Sequence, residues 1–134
     1  MRFALAAALL ALLAPAAHAW DAATNYALHC QGCHLASGAE TPGKVPALAG
    51  SVAHFLRAPG GREFLVRVPG VANAPLSDAD LAGLLDWVLR RFDGDAIPAS
   101  FAPYTAEEVG RLRRDPLVDV EKTRRALLEA SRSR

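Results

Sequence analysis

The sequence predicts an all-α domain, and three observations indicate this class. Apolar residues recur at helical spacing from Leu81 to Phe92, directly after Ser77, a residue suited to cap a helix. A second capping pattern opens at Thr105. No convincing strand pattern runs through residues 20–50. The 134 residues fit one domain of ordinary size.

The first nineteen residues predict a secretory signal peptide. They carry one charge, Arg2, followed by an unbroken apolar run over residues 3–14. That run is too short to cross a bilayer, which takes about 20 residues. The small-x-small ending at residues 17–19 favours cleavage before Trp20, and the alternative is an uncleaved N-terminal anchor. We therefore expect export to the periplasm, with no membrane span left after cleavage.

The remaining chain divides into a domain at residues 20–94 and a helical C-terminal extension at residues 95–134. Short helices are predicted over residues 22–29, 51–56 and 62–66. The glycines after Pro59 end the second of them. Ser77, with Asp80 three residues later, then caps the longest helix. Its apolar face is ordinary core packing and comprises Leu81, Leu84, Leu85, Val88, Leu89 and Phe92.

The extension follows a turn-rich stretch at residues 93–98. It predicts one helix from Thr105 to about Arg114 and a second over about residues 118–130, with Pro116 between them.

Both cysteines lie in one pentapeptide, Cys30-Gln31-Gly32-Cys33-His34. This is the C-x-x-C-H pattern of c-type haem attachment. Two thiols one helical turn apart can each add to a vinyl group on the same porphyrin edge. The adjacent imidazole can then bind the iron from the proximal side. The pattern predicts one haem c, with Cys30 and Cys33 as its thioether residues and His34 as proximal iron ligand.

Three other uses of the cysteines stay open at this point. A thioredoxin-like redox pair would use the same spacing but expects a βαβ pattern. A zinc site would lack a second C-x-x-C to complete a tetrahedron. A structural disulfide would have no need of the histidine that follows.

Further residues match a known family. Tyr26 lies four positions before Cys30, as the aromatic of an N-terminal helix does in that family. Residues 45–50, Val-Pro-Ala-Leu-Ala-Gly, match its P-x-L-x-G segment. Residues 76–81 match the opening of its C-terminal helix, and Trp87 matches its packing aromatic. The chain thus resembles class I, mitochondrial-type cytochromes c of the bacterial single-haem kind. This resemblance implies a small fold around the haem, with the Pro46 carbonyl orienting His34.

The family's usual distal ligand, a methionine, is missing. The only methionine is Met1, and the ligand position falls on Val68 or near Ala72. His54 is a candidate distal ligand, and Asn73 is a candidate weak ligand or hydrogen-bond donor. The leading expectation is instead an open or weakly held distal site in an apolar pocket near Val68, Val71 and Ala72. His29 adjoins Cys30 and is expected to face solvent.

The favoured function is an exported monohaem cytochrome that passes single electrons between periplasmic partners, such as a redox protein, a dehydrogenase or an oxidase. The alternative is a haem module that binds or senses NO, CO or O2 at an open distal site. A small haem peroxidase is not favoured, because no distal acid–base pair stands out. The formal net charge of +1 does not favour nucleic acid as a partner.

The extension has two interpretations. It can pack on its own domain as an extra helical layer. Alternatively it can dock a redox partner, its arginines steering an acidic surface. The arginines in question are Arg111, Arg113, Arg114, Arg124 and Arg125.

Overall fold

The computed structural model describes residues 20–43 and 45–132, and over these ranges the fold is all-α as predicted. The predicted signal peptide lies outside the described residues. Two 3-10 helices cover Val52–Arg57 and Gly94–Ala96. The α-helices are α1 (Ala22–His29), α2 (Gln31–His34), α3 (Gly61–Arg67), α4 (Pro69–Ala72), α5 (Asp78–Asp93), α6 (Ala106–Leu112) and α7 (Val120–Arg132).

None of the helices described has the length and apolar content that crossing a bilayer requires.

The predicted elements lie close to the observed ones. Helix α1 has the predicted bounds, whereas the segment predicted as a helix over residues 51–56 is a 3-10 helix at Val52–Arg57. In the extension, α6 ends at Leu112, two residues earlier than predicted. The sequence did not predict α4, a single turn at Pro69–Ala72.

The capping residues act as the sequence indicates. The Ser77 hydroxyl accepts a hydrogen bond from the Asp80 amide at 3.0 Å and donates to its carboxylate at 2.6 Å. The Thr105 hydroxyl accepts from the Glu108 amide at 3.2 Å. Each cap satisfies an amide that the first helical turn leaves without a partner.

The core lies between α5 and the elements that pack on it. Every apolar residue predicted for the α5 face is buried. Helix α1 contributes Tyr26, whose ring centroid lies 5.4 Å from that of Trp87 and 5.1 Å from that of Phe92. The 3-10 helix and α3 meet through the stacked rings of Phe55 and Phe64, 4.8 Å apart.

The extension packs on the domain as an extra helical layer. Val109 on α6 is fully buried against the core. Arg62 on α3 forms a bidentate ion pair with Glu108, through Nε at 2.6 Å and Nη2 at 2.7 Å. The Arg62 guanidinium also lies over the Tyr104 ring, and the Tyr104 hydroxyl donates to the Arg62 carbonyl at 2.9 Å. Arg62 is therefore the main polar anchor of α6.

We expect the Arg62–Glu108 pair to make stability depend on pH. Its hydrogen bonds to Arg62 lower the pKa of Glu108 below its ordinary 4.5. The stabilisation is therefore present above the unfolded-state pKa and is lost as pH falls through the lower folded-state pKa. Glu108→Gln is expected to cost about 1–2 kcal/mol at pH 7, since both partners are partly exposed.

Denaturant unfolding at several pH values checks this expectation. The difference between the native protein and Glu108→Gln is expected to shrink steadily below pH 4.5. Glu107→Gln is the matched control, since Glu107 is the exposed neighbour on the same helix. A Glu108→Gln deficit that is the same at pH 7 and at low pH contradicts the assignment.

Candidate haem-binding site

The C-x-x-C-H segment folds as one helical turn directly after α1. The Cys30 amide donates to the Tyr26 carbonyl at 2.9 Å and thereby closes α1. The Cys30 carbonyl in turn accepts from the amides of Cys33 at 3.1 Å and His34 at 3.0 Å. The two cysteines consequently lie one turn apart on α2, the spacing that attachment to one porphyrin edge requires.

Tyr26 anchors the end of this turn. Its hydroxyl donates to the Leu35 carbonyl at 2.6 Å, and only 2% of the residue is exposed. Leu35 has a φ of 55°, a conformation that costs energy for a residue with a branched side chain. The sequence indicated Tyr26 as a packing aromatic. Its hydroxyl contact to the strained Leu35 was not predicted, because no sequence pattern marks a leucine at positive φ.

The thiols do not have the properties of a redox pair. Both cysteines are free, with Cys30 partly buried and Cys33 exposed. Burial, followed by the proximity of Cys33, raises the pKa of the Cys30 thiol. A thioredoxin-like nucleophile requires the opposite shift. The helical surroundings also differ from the βαβ setting that such a pair expects.

Zinc binding does not fit the geometry either. In the described ranges, no three His, Cys, Asp or Glu side chains come together to hold a metal ion. The side chains of Cys30, Cys33 and His34 therefore do not converge on one point. A tetrahedral zinc site requires such convergence, whereas haem attachment spreads its ligands over the porphyrin edge and the iron.

One polar atom of the site, on the His34 side chain, has no hydrogen-bond partner. This atom, Nδ1, is buried and meets no acceptor at hydrogen-bond distance. Burial lowers the pKa of the imidazole, and the nearby Pro46 carbonyl acts in the opposite direction. The structure thus places the Pro46 carbonyl near His34, and the orienting role of Pro46 stays a prediction.

The loop that carries Pro46 is fixed against the end of α5. The Gly38 carbonyl accepts from the amides of Leu48 at 2.8 Å and Ala49 at 3.1 Å, and the Gly50 amide donates to the Phe92 carbonyl at 3.0 Å. Gly38 has a φ of 71°, and a Cβ there would lie 2.5 Å from the Phe92 ring. This close approach requires glycine, and it fixes the position of the Pro46 segment next to α2.

The residues present fit a covalently attached haem. The thiols are free and one turn apart, the imidazole is partly buried, its Nδ1 has no hydrogen-bond partner, and the Pro46 carbonyl lies near the imidazole. Cys30 and Cys33 would hold the porphyrin, and His34 would bind the iron.

Comparison with known proteins agrees with this geometry. The chain is 36% identical over 111 aligned residues to cytochrome c-552 from Thermus thermophilus, covering 69% of this chain and 84% of that protein. A second cytochrome c-552, from a defined strain of that species, matches at 36% identity with 74% of its length covered. The chain belongs to the c-type cytochrome family. No family model matches it.

As a c-type cytochrome the protein carries covalently bound haem c. It is also shorter than its relatives within the matched region. Since 69% of 134 residues is about 92 residues, about 19 of the 111 aligned positions have no counterpart in this cytochrome.

Residues 68–77, here named the distal segment because the sequence predicts them on the distal side of the haem, join α3 to α5 in ten residues and contain α4. Val68 and Val71 are partly buried and Ala72 is buried, and the apolar distal pocket near them stays a prediction. Asn73 is exposed, and its amide donates to the Pro69 carbonyl at 3.1 Å.

Besides His34, the described residues include two histidines, which lie on two different elements. His54 is partly buried on the 3-10 helix, where its amide donates to the Ser51 carbonyl at 3.3 Å. The distal roles of His54 and Asn73 stay predictions. His29 is exposed, as expected.

Arg113 has a different role from the one predicted. The sequence suggested an arginine that steers a partner's acidic surface, but only 16% of its side chain is exposed. Its guanidinium donates to main-chain carbonyls of the distal segment and to Asp78. Arg114 lies two residues beyond α6, and its Nε donates to the Gly110 carbonyl of that helix at 2.7 Å. Helical spacing in the sequence does not indicate the role of Arg113, because the partners of Arg113 lie 35 to 41 residues away.

Proposed function

We propose that this protein is an exported class I cytochrome c with a single haem, which transfers single electrons between periplasmic partners. The observation that carries the proposal is the single haem-attachment turn, held by Tyr26 and set beside the Pro46 carbonyl. The likeness to cytochrome c-552 supports it. A redox protein, a dehydrogenase or an oxidase in the periplasm is the proposed partner.

The chain's own residues supply attachment, orientation and shielding. When bound, the haem iron supplies the ferric–ferrous couple. Cys30 and Cys33 would hold the porphyrin on one helical turn, whose main-chain bonds run from the amides of Cys33 and His34 to the Cys30 carbonyl. His34 Nδ1 can donate to the Pro46 carbonyl, and this interaction strengthens the imidazole as a ligand. Electron transfer of this kind requires no acid or base on the protein.

We propose further that the distal side is open or weakly held. The only methionine is Met1, so the ten residues of the distal segment supply no thioether. Without methionine ligation, the midpoint potential is expected to lie below that of Met/His members of the family.

The test is spectroscopy and electrochemistry of the mature chain produced with haem-maturation machinery. The pyridine haemochrome assay is expected to give one covalent haem per chain. Voltammetry is expected to give a reversible one-electron wave that Cys30→Ala/Cys33→Ala does not give. Absence of covalent haem, or a haem that takes up no electron reversibly, contradicts the proposal.

Binding of a small ligand such as NO, CO or O2 is the second candidate function. The aliphatic side chains of Val68, Val71 and Ala72, in place of a methionine, favour it. It predicts five-coordinate high-spin iron and CO binding without displacement of a protein ligand. A low-spin spectrum that His54→Ala abolishes would instead establish bis-histidine ligation and contradict the open site.

A further inference from the structure

The last turn of α6 and the distal segment meet at an unusually close contact. Gly110 lies so near α5 that a Cβ there would stand 2.3 Å from the Asp78 Oδ2 atom. The atoms that this Cβ would meet all belong to the Asp78 side chain. The approach brings Arg113, one turn further along, beside the segment that precedes α5.

The Arg113 guanidinium binds three carbonyls of the distal segment. Nε donates to Ala72 at 2.9 Å, Nη1 donates to Leu76 at 2.8 Å, and Nη2 donates to Ala74. Nη1 also meets the Asp78 carboxylate at 3.1 Å. The planar guanidinium, with its donors in a fixed fork, can hold three carbonyls in one arrangement, which a lysine cannot.

Apolar packing and a few main-chain bonds also hold the distal segment. Ala74 is buried and Leu76 packs against the core. After α4, the amides of Asn73, Ala74 and Leu76 donate to the carbonyls of Pro69 at 3.1 Å, Val71 at 3.1 Å and Ala74 at 2.8 Å. The carbonyls of Ala72, Ala74 and Leu76 all point to one side chain from the extension. Three carbonyls within five residues thus share one donor group, which links the main-chain conformation of residues 72–76 to the position of Arg113.

We propose that Arg113 is a positioning residue that fixes the position of residues 72–76 on the distal side of the haem. Through this segment, Arg113 controls the access of small ligands to the iron. This inference rests on the proposed function, which places the distal segment over the iron. The C-terminal extension then governs the reactivity of the haem without contacting it. Loss of the three hydrogen bonds frees the segment and opens the distal side.

The test is CO rebinding to the ferrous holoprotein after flash photolysis, in native protein and in Arg113→Ala. We expect association in Arg113→Ala to be faster by about fivefold or more, because a mobile segment covers the iron for less of the time. Arg113→Lys, which cannot bind three carbonyls at once, is expected to be intermediate, and it serves as the test variant should Arg113→Ala not yield holoprotein.

Arg67→Ala is the matched control for stability. Arg67 ties the extension to α3 through Asp115, at 2.6 Å to the carboxylate, and contacts no residue of 72–76 through its side chain. Its association rate is expected to stay within about twofold of the native one. Equal acceleration in Arg67→Ala and Arg113→Ala, or no acceleration in either Arg113 variant, overturns the proposal. The haemochrome assay tests the proposed function separately, because each comparison of CO association rates uses protein samples of equal haem content.

Discussion

Replacing Gly61 by alanine is expected to destabilise the cytochrome by about 3 kcal/mol or more, or to prevent folding. A Cβ at this position would lie 1.8 Å from the Phe55 carbonyl oxygen and 2.6 Å from its carbon. Both atoms belong to the main chain, so no side-chain rotation relieves the overlap. The measurement is denaturant unfolding of the holoprotein.

The damage is expected to spread to the aromatic core. Gly61 begins α3 immediately after the turn that ends the 3-10 helix, and its amide donates to the Ala58 carbonyl at 3.0 Å. To accept a methyl group, α3 must move away from the 3-10 helix. That movement separates the rings of Phe55 and Phe64, which stack at 4.8 Å. Weakened near-ultraviolet circular dichroism is therefore expected in any Gly61→Ala protein that folds.

Gly83→Ala is the matched control. Gly83 is exposed in the middle of α5, and a Cβ there meets nothing within 4 Å. Since alanine favours the helix more than glycine does, this variant is expected to gain about 0.5–1 kcal/mol. Two variants with the same change of residue are thus expected to move stability in opposite directions. A Gly61→Ala protein as stable as the native one contradicts the close approach.

Local patterns predicted the elements that local chemistry determines. Helix α5 followed from its apolar period and from Ser77, because an amphipathic face and a cap both act within a few residues. The haem-attachment turn followed from five consecutive residues, since its chemistry requires adjacency. Helix α4 was not predicted because Pro69 was treated as part of a loop. Proline at the first helical position lacks only an amide hydrogen that would have no partner there.

Contacts between distant parts of the chain were beyond sequence reasoning. Arg62 and Glu108 are 46 residues apart, and each has the spacing of an ordinary exposed charge on its own helix. The contacts of Arg113 could not be predicted either, because its partners are main-chain carbonyls, which every type of residue carries. The basic character of the extension suggested a partner surface, yet part of that charge holds the cytochrome's own segments together.

The second large effect is expected from His34→Gly. The variant retains both cysteines, so haem is expected to be attached in normal amount. The variant lacks the imidazole proposed as proximal ligand, and the native Soret and visible spectrum are therefore expected to be lost. Stability is expected to fall as well, because His34 lies partly buried at the end of α2.

Added imidazole makes this prediction specific. The missing side chain leaves a space beside the Pro46 carbonyl, which can accept the free N–H of an imidazole bound to the iron. Excess imidazole is expected to restore most of the native spectrum in His34→Gly. His29→Gly is the control, since His29 is exposed and adjoins Cys30 without contacting the proximal side; its spectrum is expected to be native with and without imidazole. A native spectrum in His34→Gly before imidazole is added would assign the proximal ligand to another residue.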